Sequence, residues 1–296
     1  MTQESQERKA YLQIMDAYLE ALVRKNLTMA PLREDCRITF NGKEQALGDN
    51  FLWANTLYIP QRQAFVDTVS GNVMLLGIAT NEWQNFQGND PPPQEGDGAL
   101  SRTYRYPFYA LTVIRLHIRE GKIDQVEELF EDKRYMFMRT SYSDIRLPEL
   151  MFDIPVPQEE RMTREELRHV TDLYWDCIAK KKPASALLLH PECRRIENGM
   201  CCTHNHGTFR NEFTLPSFTW DTPQEKRFYP IIDPARGIVL SMQGFVEVEG
   251  SDPGNKNPYI IDLFKIENGL IRQITAFMIK DMTELGWQTA AAAGGI

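Results

Sequence analysis

Four blocks of this chain occur twice, in the same order and at similar spacing. That repetition constrains the fold more than any other feature of the sequence. Segment 18-YLEALVRKN-26 matches 174-YWDCIAKKK-182, and 32-LREDCRITFNG-42 matches 189-LHPECRRIENG-199. Segment 65-FVDTVSGNVMLLG-77 matches 231-IIDPARGIVLSMQG-244, and 116-LHIREGKIDQVEELF-130 matches 264-FKIENGLIRQITAFM-278. Self-similarity of this kind marks one structural unit laid down repeatedly. The reading is a tandem duplication, for which 296 residues leave two domains of roughly 150 each.

Each copy reads the same way. An amphipathic helix comes first: Tyr11, Met15, Tyr18 and Leu22 share a face over residues 4–25, as do Leu167, Val170, Tyr174 and Cys177 over 163–180. A strand then ends in an Asn-Gly turn, and a helix-like stretch leads into three or four β-rich strands. DTVSG and DPARG, then EGK and NGL, have the composition of hairpin turns; Asp67 and Asp233 open the first pair as turn formers. The polar inserts 88–99 and 250–258 read as long hairpin loops between corresponding strands. Periodicity fails and prolines cluster around 141–160, which predicts a linker between domains spanning 1–140 and 161–287. The alanine- and glycine-rich tail, 288–296, reads as frayed. The expected fold class is α+β: two tandem cone-shaped domains, each with helices packed in a strongly curved antiparallel sheet.

Composition narrows the function. A net charge of -8 and a pI near 5.3 argue against nucleic acid or an anionic membrane as partner. No apolar run approaches the roughly 18 residues of a membrane helix, and the polar start MTQESQERKAYLQ is not a secretory signal. Five cysteines, Cys36, Cys177, Cys193, Cys201 and Cys202, make an odd set without a disulfide framework, which suits a reducing cytoplasm. Phosphate-binding glycine loops, a GxSxG elbow and HExxH are all absent, so no cofactor is expected. The segment 194-RRIENGMCCTHNHG-207 has too few ligands at workable spacing for a metal; Cys201 and Cys202 read as small buried hydrophobes. His204 or His206 remains a candidate acid or base near neutral pH.

The element order, with the motifs "RITFNG", "FVDTVSGNVMLLG" and "RLHIREGKIDQVEEL", resembles the nuclear-transport-factor-2-like superfamily, also called SnoaL-like or ketosteroid-isomerase-like. The resemblance covers nearly the whole chain, once per copy. It implies a pocket between the concave sheet face and the first helix. It implies no single function, since isomerases, dehydratases, cyclases, lyases and binding modules share the fold.

Strand alternation identifies polar residues on the expected inner face. In 123–132 one face carries Asp124, Val126, Glu128 and Phe130, where the second copy has Arg272, Ile274, Ala276 and Met278. Glu128 thus stands as a carboxylate where its counterpart is alanine, unless a bulge or sheet edge turns it to water. Asp262 shares a face with Ile260, Phe264 and Ile266. Arg115 and His117 alternate onto the other face, either as catalytic groups or as a solvated surface. Tyr18 and Tyr174 fall on the helix stripes; a phenol there donates to a substrate oxygen in the isomerases that the fold resembles, or simply fills the core. Trp53, Tyr58, Tyr104, Tyr106 and Phe108 suit a flat aromatic ligand, or again a core.

The expected function is a cofactor-independent acid–base lyase acting on a hydrophobic aromatic small molecule. The chain resembles bacterial γ-formaldehyde lyases of this superfamily in overall character, without a diagnostic motif, which implies release of formaldehyde from a lignin-derived diarylpropane to give a stilbene. Glu128, His117 or Asp262 would serve as acid and base, and Arg115, Tyr18 or Tyr104 would hold the phenol oxygen. An isomerase or dehydratase of a steroid-like substrate, or a non-catalytic binding module, remains the alternative. The partners expected are that small molecule and further copies of the chain, with no nucleic acid and no membrane.

Overall fold

Both halves of the chain begin with a helix whose apolar stripe decides where it docks. A computed structural model describes residues 3–81, 108–131, 145–203, 221–245, 259–279 and 286. In the first half α1 (Gln3–Arg24) buries Met15, Tyr18, Ala21 and Leu22, a spacing of three and four that puts them on one side. It ends at Lys25, whose positive φ of 57° breaks the helical run. In the second half α3 (Arg164–Ile178) is started by a capping box, Thr163 and Glu166 each bonding the other's backbone N–H. It buries Leu167, Val170, Tyr174 and Cys177.

The strands form two six-stranded sheets of the same order. In the first, β1 (Leu32–Phe40), β2 (Lys43–Glu44), β3 (Tyr58–Asp67), β4 (Asn72–Thr80), β5 (Tyr109–Arg119) and β6 (Lys122–Glu131) run β2-β1-β6-β5-β4-β3. A short helix, α2 (Phe51–Asn55), precedes β3. In the second, β7 (Leu189–Glu197), β8 (Met200–Cys201), β9 (Arg227–Asp233), β10 (Ile238–Gly244), β11 (Tyr259–Glu267) and β12 (Leu270–Ile279) run β8-β7-β12-β11-β10-β9.

These sheets are mixed, which corrects the expectation of a wholly antiparallel one. β1 pairs parallel with β6, and β7 with β12. The reason is topological: three hairpin reversals leave β6 running opposite to β3, and β1, which also runs opposite to β3, lies alongside β6 in the same sense.

The turns follow their residues. Glu120 and Gly121, with φ of 55° and 76°, make a two-residue loop of the kind that needs positive φ at both positions; Asn268 and Gly269, at 50° and 76°, do the same. Asp67 Oδ1 accepts from the backbone of Val69 and Ser70, at 3.0 and 3.2 Å, which makes it a turn former. Gly237 sits at φ 60°, and a Cβ there would run into the carbonyl oxygen of Ile266.

One irregularity corrects the face assignments. The β5–β6 register steps from His117↔Gln125 to Ile118↔Ile123, so Asp124 is an extra residue in a bulge. Asp124 therefore does not share the inner face with Glu128; it turns to His117, Nδ1 to Oδ1 at 2.5 Å. The β11–β12 register slips in the same way at Arg272.

The chain divides into two units, Met1–Pro148 and Glu149–Ile296. The stretch read as a linker is tied down over its described part. Leu147 N donates to Gln61 Oε1 at 2.9 Å within the first unit. In the second, Val156 N donates to the Ala235 carbonyl at 2.9 Å, and Lys265 Nζ holds the Ile154 carbonyl at 2.6 Å. No described helix is long and apolar enough to cross a membrane. The inserts 88–99 and 250–258 and the tail 288–296 lie outside the described residues.

Candidate acid–base site

The bulge ends before Glu128, so regular alternation carries this carboxylate inward. Glu128 pairs across the sheet with Ile114 and Phe40, both facing α1, and it is fully buried. Three donors converge on it. Tyr18 Oη from α1 and Trp53 Nε1 from α2 each donate to Oε1 at 2.8 Å, and Asn50 Nδ2 donates to Oε2 at 2.7 Å. Asn50 is placed by the helix it caps: its Oδ1 accepts from Trp53 N at 3.0 Å, which leaves the amide NH₂ to reach the carboxylate. The Tyr18 and Trp53 rings meet edge to face, 5.8 Å between centroids, which locks both donors.

A carboxylate has about four lone-pair positions. The three donors fill both on Oε1 and one on Oε2, so the remaining proton-accepting position is on Oε2. Burial pushes the Glu128 carboxyl up to about 7, against the opposing pull of Tyr18, Asn50, Trp53 and the Lys25 charge. Burial and the neighbouring Glu128 charge push the Tyr18 hydroxyl well above its ordinary value, so it acts as a neutral donor. Lys25, brought in by its left-handed backbone, donates to the Thr56 carbonyl and is lowered by burial to about 8.

Beside Glu128 the inner face turns aromatic. Phe130 packs on Phe51 and Phe108, with centroids 5.0 and 6.0 Å apart, and Phe51 meets Phe108 at 5.5 Å. Tyr58, half-buried at the start of β3, pairs with Thr80 at the sheet's edge.

Arg115 and His117 stand apart from this group. Arg115 faces the opposite side of the sheet, buried, with Nε on Glu127 at 3.0 Å, Nη1 on Asn72 at 3.0 Å and Nη2 on Gln125 at 3.2 Å. His117 shares that outer side with Gln125. Neither reaches Glu128, because side chains alternate across a strand. Tyr104, Tyr106, His204 and His206 lie outside the described residues.

Asp262 is buried on the inner face of the second sheet, paired with Ala276 and Ser241. Arg195 from β7 reaches it, Nη1 to Oδ2 at 3.3 Å, while its Nε meets Glu197 at 2.5 Å and Nη1 also donates to the Tyr174 hydroxyl. Burial raises Asp262 to about 7, with Arg195 pulling it down and Glu197 pushing it up. Both carboxyls are buried inside their own units, which removes the exposed alternative for Glu128.

Burial takes the Cys36 thiol to about 12 and the Cys193 thiol to about 11, which makes both poor nucleophiles. Among the described residues no group of histidine, cysteine and carboxylate side chains forms a metal-binding cluster.

Sequence reasoning missed Asn50, Lys25, Arg195, Glu197 and Gln243. Asn50 carried the ordinary signature of a helix cap in front of FLWAN. Arg195 and Glu197 stand at the sheet positions of Ile38 and Phe40, the same polar-for-apolar exchange that singled out Glu128.

Residues 160–278 match a family model described as a domain of unknown function, DUF8021. No curated protein matches the chain. Among solved structures, a proposed polyketide cyclase from Xanthomonas campestris is similar over 41% of this chain and 90% of its own, at 16% identity and a TM-score of 0.30. AclR, a proposed hydroxylase from Streptomyces galilaeus, is similar over 43% and 80%, at 18% identity and a TM-score of 0.28. A nuclear-transport-factor-2-like protein from Burkholderia xenovorans is similar over 42% and 92%, at 13% identity and a TM-score of 0.30.

Proposed function

We propose that the first unit is a cofactor-independent acid–base enzyme acting on a hydrophobic aromatic small molecule, with Glu128 as the group that takes and returns the proton. One observation carries this reading: a fully buried carboxyl, raised to about 7, held by two donors on Oε1 and one on Oε2, on the strand face that also carries Phe130. A base poised near the working pH exchanges protons most effectively. Tyr18 and Trp53 stabilise the charge that remains after each transfer, since both donate to Oε1 in either protonation state. The two halves are read as copies of one ancestral nuclear-transport-factor-2-like unit, supported by the identical strand order and by the matching bulges at Asp124 and Arg272.

Within this class, proton transfer of the isomerase or cyclase kind needs only Glu128. The formaldehyde-releasing lyase reading needs a second titrating group, and Lys25, at about 8 and close enough to feel the Glu128 charge, favours it. One experiment separates the two. Purified protein without added cofactor is given a diarylpropane-1,3-diol and, separately, a β,γ-unsaturated ketosteroid, and products are read by mass. Formaldehyde with a stilbene supports the lyase; a product of unchanged mass supports the isomerase. Glu128→Gln should lower either rate by about 10²–10⁴-fold. Full turnover in that variant would exclude Glu128 as the proton carrier.

A further inference from the structure

Among the described residues, the inner face of the second unit holds buried polar atoms with no hydrogen-bond partner. Gln243 is fully buried, yet neither its Nε2 nor its Oε1 is bonded; the same is true of Asp262 Oδ1 and Trp175 Nε1. These atoms are not scattered. Ser241 pairs with Asp262 and Gln243 with Ile260, so Gln243 and Asp262 face the same side on adjacent strands. The Trp175 ring meets Phe264 at 6.2 Å and Phe245 at 5.8 Å, the residues two beyond Asp262 and Gln243. Tyr174 closes the group, 5.1 Å from Phe264. Gln243 and Asp262 thus lie on the strand face whose next residues, Phe245 and Phe264, meet the Trp175 ring.

A settled core does not keep such groups. Leaving both ends of an amide unmade is costly, whereas an apolar side chain of the same shape is tolerated. The first unit has taken the apolar course, with Gly77 and Ile114 at the sheet positions of Gln243 and Asp262. The charge balance limits what can fill the site. Arg195 already lies between Glu197 at 2.5 Å and Asp262 at 3.3 Å, so no net positive charge awaits an anion.

We propose that the second unit binds an uncharged, planar aromatic or heteroaromatic molecule that carries a carbonyl beside an N–H or O–H. The Gln243 amide matches that edge with a donor and an acceptor side by side, Trp175 Nε1 supplies a further donor, and Asp262 Oδ1 a further partner. The site does not depend on Glu128, and Glu128→Gln should leave it intact.

The probe is 2-quinolone, titrated into the full chain while the Trp175 indole N–H resonance is followed by NMR; Trp175→Phe assigns the signal. Quinoline-2-carboxylate is the charged control. The expected result is a saturable shift with the quinolone and none with the carboxylate. Gln243→Leu should weaken binding about ten-fold or more, as loss of two hydrogen bonds implies. Without ligand, Gln243→Leu and Gln243→Met should melt higher than the parent, since each removes an unpaired buried amide. No saturable shift up to the solubility of the quinolone, equal affinity in the leucine variant, or equal binding of the carboxylate would overturn the proposal. So would lower melting of both variants, which would mean that the amide is bonded in the empty protein.

Discussion

Glu128→Gln tests the central electrostatic claim through stability alone, with no substrate needed. Burial raises the Glu128 carboxyl from the ordinary 4.5 to about 7 in the folded chain. Between those values the folded state holds a proton that the unfolded state has released, so stability falls as pH rises through the window and levels off above it. At about 1.4 kcal/mol per pKa unit, this rise corresponds to about 3 kcal/mol of stability lost between pH 5 and pH 8. Glutamine cannot titrate, so the variant escapes that loss.

It meets a different cost that does not depend on pH. Its amide nitrogen must face Asn50 Nδ2 or the donors on the Oε1 side, a mismatch of about 1–3 kcal/mol. The variant should therefore be the less stable protein at pH 5, and should gain on the parent by about 3 kcal/mol by pH 8. Urea unfolding of both proteins across that range, followed by tryptophan fluorescence, measures the difference; titrating groups that do not feel the Glu128 charge cancel in it, and Lys25, which does, contributes only near pH 8. A difference that stays flat within extrapolation error would mean that Tyr18, Trp53 and Asn50 outweigh burial, and would refute the raised carboxyl.

Four further substitutions probe the same frame. Tyr18→Phe deletes the 2.8 Å bond to Oε1, so the stability window of Glu128 should move to higher pH and about 1–3 kcal/mol should be lost, read from the same urea series. Arg195→Met leaves Glu197 and Asp262 facing each other without their cation, and should cost about 3–5 kcal/mol, less at pH 5 than at pH 8 because Asp262 is then protonated. Gly237→Ala must hold φ 60° and drive a Cβ into the Ile266 carbonyl, whereas Gly121→Ala, at φ 76°, meets nothing; thermal melting should show about 1 kcal/mol lost at Gly121 and clearly more at Gly237.

The hydrophobic pattern carried the element order well, because amphipathic helices and two-residue hairpins are written in local residues. Glu128 and Asp262 were legible for the same reason: a two-residue period, compared between copies, exposes a carboxylate opposite an alanine or an isoleucine. What local pattern could not carry was register. The Asp124 bulge is invisible in an alternating run, and so Asp124 was put on the wrong face. Gln243 escaped for a kindred reason. Matching Gly77 to Gly244 slips the β4–β10 comparison by one residue, whereas strand pairing sets Gly77 opposite Thr112 and Gln243 opposite Ile260, at equivalent sheet positions. Such a slip exchanges the two faces of a strand, and it hid the Gln243 amide on the inner side. Arg115 shows a further limit: the sequence showed its strand face but not Glu127, Asn72 and Gln125, which occupy it there.

Glu128 and Asp262 are both raised to about 7, by unlike means, and this sets the two units apart chemically. Where the first sheet pairs Ile114 with Glu128, the second pairs Asp262 with Ala276, so the carboxylate stands on the neighbouring strand at the same level of the sheet. Glu128 is met by the neutral dipoles of Tyr18, Trp53 and Asn50, with Lys25 beyond them. Asp262 is met by a full guanidinium charge that Glu197 partly cancels. Protonating Glu128 removes a charge that Tyr18, Trp53 and Asn50 stabilise as neutral donors, and those donors remain in place for either form. Protonating Asp262 instead leaves Arg195 balanced by Glu197 alone, a neutral pair. The first arrangement suits repeated proton transfer without rearrangement; the second suits holding an uncharged ligand whose binding leaves an ion pair undisturbed.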